Sequence, residues 1–143
     1  MPLSRKDWLL LFLYLPEERF RTDQLRTTKG MFLFSRQCPG VNNYDFEPYD
    51  YGPFSRDLYR DLDRLDAEGQ IRRFNISASN RQIFETTSKG SVLARQLLQD
   101  APSPEAELLT SIKRKVTALN FTDLLSAIYS QYPEYATRSK ARV

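Results

Sequence analysis

The chain has no histidine and only one cysteine, Cys38, among its 143 residues. Without imidazole there is no base for a Ser-His-Asp or Cys-His mechanism. The same shortage removes the usual zinc ligands and any intramolecular disulfide. No G-x-x-x-x-G-K-[ST] or G-x-G-x-x-G run is present, so no phosphate-cradling loop is expected. Long hydrophobic runs are missing too. The longest, WLLLFLYL at 8–15, stops at Pro16, short of the roughly 20 residues that span a bilayer. A thiol-poor chain without a signal-peptide pattern fits a reducing cytoplasm. These absences predict no enzymatic activity, no metal or other cofactor, and no membrane partner.

What is present suits one folded domain. The hydrophobic share of 41% is enough for a core and excludes a disordered chain. Lys+Arg 21 against Asp+Glu 18 gives a net charge of +3, which permits nucleic acid as a partner without requiring it.

Periodicity predicts the elements. A first helix runs from Arg5 to Leu15, with Ser4 as N-cap and Asp7 completing a capping box. A second follows Thr22, with Asp23 in its first turn and Leu25, Thr28, Met31 and Phe32 on one face; Gly30 weakens it. CPGVNNYDFEP is turn-rich. Pro53 is placed to open a third helix. Phe54, Leu58, Leu62 and Leu65 supply that helix's buried face, and Gly69 closes it. IRRFNI and RQIFET then read as strands of a hairpin turning at SASN. Three further helices carry Val92, Leu93 and Leu97; then Leu108, Ile112, Val116 and Leu119; then Leu124, Leu125, Ile128 and Tyr132. The basic end, ATRSKARV, reads as frayed.

Helix, helix, loop, helix, hairpin, helix is the order of a winged helix-turn-helix. The expected fold is therefore mainly α with a small β-hairpin. Residues 1–100 would form the winged-helix-like domain, with a presumed recognition helix at 53–69 and a wing at 70–87. Residues 101–143 would add C-terminal helices packed on the same domain.

In that fold Arg56, Tyr59, Arg60 and Arg64 would face a DNA groove, and Arg72, Arg73 and Arg81 would meet phosphates. Between 54 and 73, however, those first five arginines stand against Asp57, Asp61, Asp63, Asp66 and Glu68. A self-paired, solvated face accounts for the pattern equally well. Surplus positive charge lies elsewhere, in residues 1–36, in Lys113, Arg114 and Lys115, and in Arg138, Lys140 and Arg142. The tyrosines also carry two readings. Tyr44, Tyr49 and Tyr51, with Tyr129, Tyr132 and Tyr135, suit a protein-binding surface, or they seal a loop against the core. Tyr49, Tyr51, Gly52 and Pro53 are read as a structural turn: glycine bends the chain, proline starts the helix and the rings brace it.

The segment PYDYGPFSRDLYRDLDRLDAEGQI resembles the PY-x-YGP segment of the YwgA-like and Panacea (SocA-like antitoxin) proteins of prokaryotes and their phages. There a Tyr-Gly-Pro step likewise opens a helix with a D-L-x-x-L pattern. The matching positions are Pro48, Tyr49, Tyr51, Gly52, Pro53, Leu58, Leu62, Leu65 and Gly69. FETTSKG at 84–90, YPEYATRSK at 132–140 and, loosely, LRTTKGMFLF are similar to further segments of that group. The resemblance implies a small helical domain with a winged-helix-like hairpin and no enzymatic activity, acting as an antitoxin or adaptor or in phage defence.

Two functions follow. One is a DNA-binding winged-helix protein, a transcriptional regulator or a defence or toxin–antitoxin component, with double-stranded DNA as partner. The other is a protein-interaction module. Both allow a homodimer.

Overall fold

The computed structural model describes residues 2–76 and 81–140. Six α-helices carry most of the chain: α1 (Arg5–Tyr14), α2 (Gln24–Gln37), α3 (Arg56–Ala67), α4 (Ser88–Asp100), α5 (Ser103–Ala118) and α6 (Phe121–Gln131). Five short strands form two antiparallel sheets: β1 (Thr22–Asp23), β2 (Glu47–Tyr49), β3 (Gly52–Phe54), β4 (Ile71–Asn75) and β5 (Gln82–Thr86). The mainly helical fold with a small hairpin is as the sequence predicts. The SASN turn falls on residues 77–80, outside the described residues.

α1 is the central element. Its Ser4 cap accepts from the Asp7 amide at 3.1 Å while Asp7 accepts from the Ser4 amide at 3.0 Å, the expected capping box. Trp8 through Leu13 are all buried, because α2, α3, α4, α5 and β5 pack around the helix. Among the described residues no helix is long and apolar enough to cross a membrane.

α2 crosses α1 where Gly30 meets Phe12. A Cβ at position 30 would lie 2.3 Å from the tip of the Phe12 ring, so glycine permits the approach and the helix continues through it. Asp23 lies outside the first turn that the sequence suggested. It is the N-cap, accepting from the Arg26 amide at 2.8 Å, and with Thr22 it forms β1. That strand pairs with β5, giving the sheet order β1-β5-β4.

Pro53 does not start α3. It lies in β3 opposite Pro48, and Tyr49 opposite Gly52 leaves Asp50 and Tyr51 as a two-residue turn. The N-cap is Ser55, whose hydroxyl accepts from the Leu58 amide at 3.3 Å. The presumed recognition helix therefore spans 56–67 rather than 53–69, and Phe54 belongs to the hairpin. At the other end Gly69 has φ +74°. Its amide reaches Asp66 O and the Gln70 amide reaches Leu65 O, a Schellman termination.

Three other expectations fail on burial. Val92 is 48% exposed, and Gly90, Ser91 and Ala94 face the core instead. Lys113, placed in a basic surface cluster, is wholly buried on the α5 face formed with Leu109, Ile112 and Val116. Of the ATRSKARV end, residues 136–140 are held by hydrogen bonds rather than frayed, and residues 141–143 lie outside the described residues. After a 3-10 turn at Pro133–Ala136, the Lys140 amide donates to Asp50 O at 2.7 Å and Tyr135 is buried. One core cluster draws residues from all six helices.

Candidate functional site

Two surfaces compete as the site, and both derive from the segment 47–86. The first is the outer face of α3 with the β4–β5 hairpin, where the sequence places DNA contacts. Leu58, Leu62 and Leu65 anchor α3 to the core, so its polar side turns outward. Arg56, Arg60 and Arg64 are exposed there, together with Asp63 and Asp66. Their charges are largely engaged. Arg60 lies 3.4 Å from Asp57, which also receives Arg5 at 3.2 Å. Arg64 lies 2.8 Å from Asp61. Asp61 is itself buried and accepts the Tyr44 hydroxyl at 2.6 Å. Burial, reinforced by that hydrogen bond to a carboxylate, raises the Tyr44 pKa far above the usual tyrosine value.

The hairpin arginines behave alike. Arg73 reaches Asp63 at 2.5 Å and Asp66 at 3.4 Å, folding across α3 instead of pointing outward. Arg72 lies 3.9 Å from Glu85 and Arg81 lies 3.8 Å from Asp23. Among the described residues Arg56 is the one member of the set without an ion pair or hydrogen bond. Tyr59 does not face outward as predicted. It is half-buried, its ring edge-on to Phe54 at 4.9 Å and its hydroxyl 3.4 Å from Thr28 Oγ1.

The second surface is a cleft of about 570 Å³ at the tip of the Tyr-Gly-Pro hairpin. The hairpin builds one wall, where the Tyr49 ring stacks on Phe54 at 4.9 Å. Tyr51 meets Phe121 of α6 edge-on at 5.9 Å and completes the rim. Tyr49 and Tyr51 stay 42% and 46% exposed, and both line the cleft. α2 supplies the opposite wall through Gln24, Leu25 and Lys29, and Tyr59 and Arg81 border the same space. The cleft thus brings together Tyr49, Tyr51, Gly52, Tyr59 and Arg81 from the sequence-predicted set. It leaves Arg56, Arg60, Arg64, Arg72 and Arg73 outside.

Sequence reasoning missed Lys29, Leu25 and Phe121. Lys29 is the charged residue most enclosed by the cleft, 4% exposed, with Nζ donating to Pro53 O at 3.2 Å. Burial pulls its pKa down from 10.5 to about 8. Gly52, with φ +89°, lies directly over it. A Cβ there would sit 3.6 Å from Lys29 Cε and 3.1 Å from a Leu125 methyl. Glycine at 52 therefore serves the left-handed turn and the close approach of Leu125, while a Cβ would meet Lys29 only at ordinary contact distance.

No family model matches the chain, and neither does any curated protein.

Proposed function

We propose that the chain is a non-enzymatic interaction module on a winged-helix-like frame, of antitoxin or adaptor type, that holds a protein partner at the aromatic cleft. The observation that carries this reading is the charge pairing on the alternative face. Arg60, Arg64, Arg72, Arg73 and Arg81 each lie within 4 Å of a carboxylate of their own chain. A phosphate backbone approaching α3 would meet exposed Asp63 and Asp66 along with the arginines it gained. Non-specific DNA affinity depends on net neutralisation of phosphates, which a balanced face supplies poorly. Exposed tyrosines around an apolar cleft are the composition of a protein-binding hot spot. The absence of histidine and the lone cysteine support a non-catalytic role. So does the resemblance of the Tyr-Gly-Pro segment to Panacea antitoxins.

A second reading has its own support. The succession α1, β1, α2, β2, β3, α3, β4, β5 with sheet order β1-β5-β4 is compatible with a winged-helix arrangement carrying an extra β2–β3 hairpin before α3, the helix that would then enter the major groove. Fluorescence anisotropy with a generic labelled duplex over a salt series separates the two. The interaction module binds only at low salt and loses the duplex by about 0.15 M. Micromolar or tighter binding at that salt, with a steep log–log slope, would establish the DNA reading instead.

A further inference from the structure

Among the described residues two lysines are buried, and they are not equivalent. Lys113 Nζ donates to Leu15 O at 2.6 Å, to Leu13 O at 3.5 Å and to Phe12 O, closing the C-terminal end of α1. Its three donors have acceptors, and the negative end of the helix dipole faces it. That is a structural role. Lys29 has one such contact, Pro53 O, and among the described residues no carboxylate pairs with it. An ammonium with unused donors, buried beneath the β2–β3 hairpin and bordering an open cleft, is costly to keep. An incoming anion would relieve that cost. The other charged residues of the lining do not supply one, since Asp50 is engaged by Lys140 at 3.5 Å and Arg81 is a cation beside Asp23.

The occupant must bring a carboxylate and apolar bulk into the same small space. A protein chain end does so, because its last side chain and its carboxylate branch from one carbon. An internal Asp or Glu brings the carboxylate on its own side chain, so the apolar bulk has to come from a different residue further along the backbone. About 570 Å³ is within the range of ligand pockets of roughly 300–1,000 Å³. Resting on the cleft as the docking site, we infer that it receives the C-terminal residue of a partner protein. An aromatic last side chain stacks among Tyr49, Phe54 and Tyr59, and the free carboxylate bonds to Lys29 Nζ.

The test uses three fluorescein-labelled peptides titrated into the full chain at pH 7 by fluorescence polarisation. They are Gly-Ser-Gly-Phe as the free acid, the same peptide as its C-terminal amide, and Gly-Phe-Asp-Gly amide with an internal carboxylate. The free acid binds at least about tenfold tighter than the other two, the effect of one charge-assisted hydrogen bond. Lys29→Met brings the free acid to the level of the amide, while circular dichroism and the melting temperature show the variant folded. Unlabelled 3-phenylpropionate displaces the free acid only at much higher concentration than the unlabelled peptide does. Equal affinity for acid and amide would overturn the carboxylate contact and leave the docking cleft standing. A preference for the internal carboxylate, or 3-phenylpropionate matching the peptide, would overturn the chain end as source. If no peptide binds, the inference fails, and the duplex titration still judges the wider reading by itself.

Discussion

Replacing Lys29 by Met should make the protein more stable, and by an amount that depends on pH. Met keeps most of the length of the lysine stem and removes the ammonium. The fall in pKa from 10.5 to about 8 on folding corresponds to about 3 kcal/mol of cost for keeping the group charged. The variant leaves Pro53 O without its donor, an offset of about 1 kcal/mol. A net gain of about 2 kcal/mol at pH 7 should raise the melting temperature by roughly 5 °C for a chain of this size. A lysine with a depressed folded pKa binds fewer protons in the native state than in the unfolded one. Wild-type stability contributed by this group therefore rises with pH between about 8 and 10.5. At pH 10 the cost has fallen below about 1 kcal/mol and the variant's advantage should vanish. Urea unfolding of both proteins at pH 7 and pH 10 measures this, with Lys113 cancelling in the difference. A variant less stable than wild type at pH 7, or a difference independent of pH, would refute the reasoning.

Two substitutions test the frame that positions the cleft and α3. At Gly90 a Cβ would fall 1.9 Å from Gln70 O. That carbonyl is fixed by the Thr87 amide at 3.0 Å, so Gly90→Ala should lose about 2 kcal/mol despite the better helix propensity of alanine; an unchanged urea midpoint would contradict this. Tyr44→Phe removes a hydrogen bond to the buried Asp61 and should cost about 2 kcal/mol. A loss under about 0.5 kcal/mol in urea unfolding would show that Arg64 alone satisfies that carboxylate.

Much of the fold is legible where local chemistry decides it. Ser4 and Asp7 announce the start of α1, Gly69 the end of α3, and the switch to period two the β4–β5 hairpin. Pro53 misled because proline suits both a first helical turn and a hairpin strand, and Phe54 extends the Leu58 spacing by chance. Ser55, three residues before the Leu58 amide, was the better cap signal. The site was harder to see because its key residue is a buried charge. In isolation TTKG and IKRK read as solvated lysines. Yet Leu25, Thr28, Lys29 and Phe32 follow the i, i+3, i+4, i+7 spacing of an inward face, as do Leu109, Ile112, Lys113 and Val116. Phe121 meets Tyr51 only through tertiary packing, which no local pattern carries.

The arginines show the opposite limit. Their balance with acids over 54–73 is visible in the sequence. Arg60 and Arg64 find an acid three residues back on α3 itself, whereas the partners of Arg73 depend on β4 packing beside α3.

The most direct test of the cleft as the working surface is a residue-level NMR map. The 15N-labelled chain is titrated separately with the free-acid peptide and with a generic duplex at 0.15 M salt. The account predicts that the peptide shifts the amides of Leu25, Lys29, Tyr51 and Gly52, and that the duplex leaves Arg56, Arg60 and Arg64 in place. Duplex-induced shifts along those three arginines, with the cleft amides unmoved by the peptide, would contradict it.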